Sequence, residues 1–176
     1  MDRIVRIGTH TGDRQLPSRL QQHFIKENKD RSIFRKNVGR AILARNADPF
    51  LTQWEIDLTT REAKKRYTGA VDESKLRAVE EQVTDYMQRS FGFIILRVDE
   101  KENRLLWESR LIGTVAACED CCPSDKWLGS HSPKQKIRES GLWQVNEFGG
   151  QPMAEETYKE LEAMILAQAG ERSAAS

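Results

Sequence analysis

The sequence predicts an α/β (α+β) fold: a small central β-sheet flanked by helices, with extra helices and one long irregular segment. Three observations carry that expectation. Phe91-Gly92-Phe93-Ile94-Ile95-Leu96-Arg97-Val98 is the most hydrophobic run, and its length suits a strand better than a helix. Arg3-Ile4-Val5-Arg6-Ile7-Gly8 alternates charged and β-branched residues, the pattern of a short strand ending at glycine. Elsewhere apolar positions recur every three or four residues, which places them along one side of a helix.

Taken in order, the strand over 3–8 leads into a turn over 9–15, marked by Gly12 and Asp13. Leu16, Leu20 and Phe24 then define a short amphipathic helix with Pro17 in its first turn, where a missing N–H costs nothing. A second helix spans 32–45 with Ile33, Val38, Ala41 and Ile42 on its apolar side, and a short one spans 50–58. Residues 59–72 are polar and basic and read as a loop. Leu76, Val79, Val83 and Met87 predict a helix over 73–89, which delivers the chain to the central strand over 91–98. A helix follows over 104–117. The Gly-, Pro- and Ser-rich stretch 118–150 is the irregular segment, with 142–145 as a short strand. A closing helix spans 154–169, and the last residues, 171–176, read as a disordered tail.

At 176 residues the chain has the length of one domain with a proper core. No apolar run approaches the roughly 20 residues that cross a bilayer, and no apolar stretch follows Arg3 and Arg6 as in a signal peptide, so a cytoplasmic, non-membrane protein is expected. Cys118, Cys121 and Cys122 are too few and too close to form a disulfide framework, which also favours a reducing compartment. The net charge of +1 conceals a split: residues 1–66 hold 15 Lys/Arg against 8 Asp/Glu, leaving 13 against 19 for the remainder. A basic front half on a near-neutral chain suits either a polyanion-facing surface or an ordinary solvated helix face.

Three features could carry chemistry. Arg19 and His23 stand four residues apart on one side of the first helix, either as surface side chains or as a phosphate clamp built on the guanidinium fork. Glu108 falls within the apolar stripe formed by Leu105, Leu111, Ile112 and Val115. A carboxylate there needs compensation by a divalent cation or by an arginine from another element. Cys118-Glu119-Asp120-Cys121-Cys122, with His131 downstream, offers ligands for a zinc ion or is a set of loop thiols.

Ile7-Gly8, the turn, and Leu16-x-x-Arg19-Leu20-x-x-His23-Phe24 resemble the second half of the signature of the GIY-YIG nuclease superfamily. There a strand ending in Tyr-Ile-Gly leads into a helix with an essential arginine. Leu105-Leu106-Trp107-Glu108-Ser109-Arg110-Leu111-Ile112, after the strand over 93–98, resembles the helix whose glutamate holds the single divalent metal. Two further stretches, residues 30–41 and Ser140-Gly141-Leu142-Trp143, are similar to an uncharacterised bacterial branch. The likeness spans one domain over 1–170. The strand bearing the family's Gly-Ile-Tyr element has no counterpart in the sequence, and Arg6 stands where the second tyrosine belongs.

The resemblance implies a metal-dependent endonuclease that hydrolyses phosphodiester bonds in DNA. Glu108 would hold Mg²⁺ or Mn²⁺, and Arg19 would neutralise charge on the phosphate oxygens. His10 or His23 would orient or deprotonate water in place of the tyrosine. Arg6, with Arg31, Arg35, Lys36 and Arg40 on one basic helix, would bind the nucleic-acid backbone without reading sequence. Two other readings stand beside it: a non-catalytic nucleic-acid-binding module on the same scaffold, and a zinc-stabilised interaction domain centred on Cys118, Cys121, Cys122 and His131.

Overall fold

The computed structural model describes residues 3–10, 12, 14–146 and 150–174, with side chains through residue 170. Its helices are α1 (Leu16–Phe24), α2 (Ile33–Arg45), α3 (Leu51–Trp54), α4 (Arg61–Arg66), α5 (Glu73–Ser90), α6 (Lys101–Ala116), α7 (Gln135–Ser140) and α8 (Glu155–Ala174). Short 3-10 turns form at Lys29–Arg31 and Leu128–His131.

The α/β expectation is overturned. Helix accounts for 58% of the structure, and the described residues contain no strand and no sheet. The physical reason lies in pairing. An extended segment becomes a strand only when a neighbour supplies a ladder of N–H and C=O groups. Residues 3–8 form neither helix nor strand, and the backbone bond they make to residues 142–145 is a single one, from Trp143 N–H to the Val5 carbonyl at 2.7 Å. Residues 92–98 likewise form neither helix nor strand. There Arg97 pairs with a side chain, the Gln168 amide of α8, which accepts from its N–H and donates to its carbonyl, both at 2.9 Å. Ile94 is 98% exposed, so the run that reads as the central strand lies largely on the surface.

The hub of the molecule is α2. Ser32 caps it by accepting from the Arg35 N–H, and Phe34, Val38, Ala41, Ile42 and Leu43 are all buried. A helix buried nearly all round must be surrounded. Val79, Val83 and Met87 of α5 cover one side, and Trp54, Leu128, Ile137 and Trp143 complete the same core. Trp127 and Trp143 meet edge to face at 5.3 Å, an arrangement favoured by the ring quadrupoles.

Trp54 reaches the α2 backbone, donating its indole N–H to the Lys36 carbonyl at 3.0 Å. It comes so close to Gly39 that an added Cβ would lie 2.2 Å from the ring. Gly39→Ala is therefore expected to destabilise the fold by about 1–3 kcal/mol through overpacking, although alanine is the better helix former. A thermal melt unchanged or raised by this variant would contradict the close approach.

Two helices lie within segments that read as loops. α4 starts where Thr60 accepts from the Ala63 N–H at 3.0 Å, but none of its residues is buried, so the sequence lacks an apolar stripe. α7 buries Ile137 alone and stops at Gly141, whose φ of 68° is the left-handed conformation glycine adopts freely. The expected tail is helical through Ala174 as the last turns of α8; Ala175 and Ser176 lie outside the described residues.

Candidate phosphate-chemistry site

The N-terminal segment carries the site and is held by its arginines. Arg3 stacks over the Trp127 ring at 5.1 Å and donates to the carbonyls of Cys121 and Gly141. Arg6 lies over the Phe34 ring at 5.2 Å and donates to the Trp143 carbonyl at 3.0 Å, while the Gln144 amide oxygen accepts from the Ile7 N–H at 3.0 Å. These contacts aim Gly8 and Thr9 at α6. The Thr9 N–H donates to Glu108 Oε1 at 3.2 Å, and that same oxygen lies 4.0 Å from where a Gly8 Cβ would sit. Glu108 is half-buried rather than sealed in the core.

Arg19 stands half-buried on α1, with one guanidinium nitrogen 2.8 Å from the Gln22 amide oxygen. Arg6 feels the charges of both Arg19 and Glu108. Burial pushes its guanidinium down to about 10, repulsion from Arg19 pushes the same way, and attraction from Glu108 opposes. Arg6 remains a cation at neutral pH, within electrostatic reach of both Arg19 and Glu108. A Gly8 Cβ would lie 3.9 Å from the Arg6 guanidinium and 4.0 Å from Glu108 Oε1, so these two groups flank Gly8, while Arg19 acts on Arg6 through its charge.

His23 joins them as a neutral ring. Burial drives it down to about 4, and the charges of Arg6, Arg19 and Arg35 add to the effect. Its Nδ1 pairs with the Ser32 hydroxyl at 2.6 Å, and its ring meets Phe34 edge-on. Because the folded value lies below the ordinary 6.5, the unfolded chain takes up the proton first as pH falls. This contribution to stability is complete above about 6.5 and declines through the window down to about 4. Melting temperatures of wild type and His23→Gln should diverge across that window, the variant losing less; parallel curves would contradict the neutral ring.

His10 sits at the segment's end. Its Nδ1 lies 2.9 Å from the Gly12 carbonyl, which can only accept. Nδ1 must therefore carry the hydrogen, which leaves Nε2 of the neutral ring with a free lone pair. No contact places His10 beside Glu108 or Arg19.

The basic helix turns largely inward. Arg35 is fully buried, donating to Glu80 Oε2 at 2.6 Å, to Thr84 Oγ1 at 2.8 Å and to the carbonyls of Glu80 and His23. Arg40 is buried against Glu55 and Asn37, and Lys36 bridges Asp30 and the Glu55 carbonyl. These three cations are engaged inside the protein and present no free charge to a phosphate backbone. Arg31 is exposed instead, and with Arg19 it lines an open groove of about 450 Å³ together with Gln15, Ser18, Gln22 and Asp30. Gln15, Ser18 and Gln22 escaped the sequence reading. Their three- to four-residue spacing around Arg19 is the only sequence signal that places them on its side of α1.

The candidate zinc ligands Cys118, Cys121, Cys122 and His131 are not gathered around one point. Among the described residues no three His, Cys, Asp or Glu side chains converge to hold a metal ion. Cys118 and Cys121 face each other, Cys122 Sγ points to the Glu119 carbonyl, and His131 is exposed on another turn.

The profile of the GIY-YIG domain matches residues 1–170. The chain belongs to the GIY-YIG family. Membership points to a nuclease-type function with a nucleic-acid substrate and to the divalent metals that GIY-YIG nucleases generally use. Searches of curated proteins and of solved structures returned no match. The donors of this GIY-YIG chain fit a hydrated hard cation. Mg²⁺ keeps several waters and is commonly held by one or two carboxylates plus substrate phosphate, so the half-exposed Glu108 is the residue that would hold it. No helix among the described residues is long and apolar enough to cross a membrane.

Proposed function

We propose that this GIY-YIG domain is a metal-dependent endonuclease that hydrolyses phosphodiester bonds in DNA. The observation that supports it best is the placing of Glu108 Oε1 against Thr9 and Gly8 beside Arg6, with Arg19 acting on the same Arg6 through its charge. Glu108 would hold Mg²⁺ or Mn²⁺, which when bound polarises the phosphate and stabilises the leaving oxygen. Arg19 lines the polar groove and would donate to the non-bridging oxygens as negative charge grows on them. The Arg6 cation adds to the field that draws phosphate in. His10 is the base of choice, with its Nε2 lone pair free to take a proton from water. His23 is already neutral and bound to Ser32, so its part is to position α1.

Backbone binding falls to Arg19 and Arg31 along the groove, with Arg6 behind them and the cations of α2 holding the core. Three thiols without a framework fit work in a reducing cytoplasm.

A second reading, nucleic-acid binding without hydrolysis, is favoured by one observation. Arg6 takes the place of a tyrosine and sets a positive charge near the carboxylate, where it competes with a metal. Incubation of supercoiled plasmid and branched DNA with Mg²⁺, Mn²⁺ or chelator separates the two. The endonuclease cleaves with divalent metal and not with chelator. Salt-sensitive binding with no cleavage of any substrate would leave the binding module.

A further inference from the structure

The Cys118-Glu119-Asp120-Cys121 turn follows α6 directly, and nothing in phosphodiester chemistry uses it. Its two outer sulfurs lie 2.8 Å apart and both reach solvent. The third thiol is directed elsewhere, Cys122 Sγ standing 3.0 Å from the Glu119 carbonyl. The turn itself therefore selects one pair among three.

The turn is also wired to the candidate site. The Cys121 carbonyl accepts from Arg3 at 2.9 Å, and the other arm of that guanidinium holds the Gly141 carbonyl. Arg3 begins the segment that presents Arg6, Gly8 and Thr9 to Glu108.

We propose that Cys118 and Cys121 form a reversible dithiol–disulfide pair, oxidised by low-molecular-weight disulfides such as glutathione disulfide, and that Arg3 passes its state to residues 5–9. One protein thiolate attacks a glutathione disulfide sulfur and releases a glutathione thiolate. The second protein thiolate then attacks the mixed disulfide and releases another. Two protein thiols are oxidised, one glutathione disulfide is reduced, and the two protons end on glutathione. An exposed pair in a reducing compartment is the usual setting of a transient, sensing disulfide rather than a structural one.

The test is equilibration of the full chain with glutathione disulfide, followed by thiol titration and intact mass. Wild type and Cys122→Ser should each lose two thiols and become lighter by two hydrogens, whereas Cys118→Ser and Cys121→Ser should form no internal bond. Retention of all three thiols in wild type, or uptake of glutathione as adducts only, overturns the pair. Amide hydrogen exchange at residues 5–9 should slow on oxidation in wild type and be indifferent to it in Arg3→Ala; exchange indifferent in wild type overturns the coupling. Neither readout depends on DNA cleavage, so failure here is distinct from failure of the nuclease reading.

Discussion

Glu108→Gln is expected to lower DNA cleavage by about 10²–10³-fold or more, the usual scale for loss of a preorganised transition-state contact. The amide can still accept the Thr9 N–H through its oxygen, so the segment over 3–9 keeps its anchor while the metal loses its charged ligand. DNA binding measured in chelator should be unchanged or slightly tighter, because a negative charge has been removed beside Arg6 and Arg19. Single-turnover cleavage together with fluorescence anisotropy reads both quantities. A variant that cleaves at the wild-type rate would remove Glu108 from the chemistry.

The largest loss of stability is expected from Arg35→Ala. The guanidinium is wholly buried and meets four oxygen partners: Glu80 Oε2, Thr84 Oγ1 and the carbonyls of Glu80 and His23. Alanine leaves the Glu80 carboxylate in the interior without its counter-charge, and breaking a buried pair by removing one partner costs about 3–5 kcal/mol. For a chain of this size that is a fall of about 6–20 °C in melting temperature. Lysine should restore little, since one ammonium cannot reproduce the planar fork. Arg35 also holds the carbonyl of His23, so its loss should loosen the end of α1 and reduce cleavage beyond what unfolding accounts for. A melting temperature within about 2 °C of wild type would show that the pair adds little.

How much of this was legible in the sequence differs by element. Most of the longer helices could be read because their stripes repeat over several turns, as Leu76, Val79, Val83 and Met87 do in α5. Arg19 and Glu108 enter as candidates through family resemblance, since neither spacing nor composition alone singles them out together. The sheet was misread because hydrophobic alternation reports what a segment could pair with and is silent on whether a partner is present; Phe91 to Val98 has the composition of a strand and the surroundings of a loop. The direction of the α2 cations was illegible for a related reason. Arg35 and Arg40 look like a surface patch until Glu80 and Glu55, 45 and 15 residues further along, are seen to face them.

Binding of Mn²⁺ followed by paramagnetic broadening of backbone amide resonances tests the shared site most directly, since it needs no turnover. Titrated into the wild type, Mn²⁺ should broaden Gly8, Thr9 and the residues flanking 108 first, then those near Arg19, and should broaden none of them in Glu108→Gln. Broadening centred on another acidic surface, or unchanged in the variant, would contradict a metal held by Glu108.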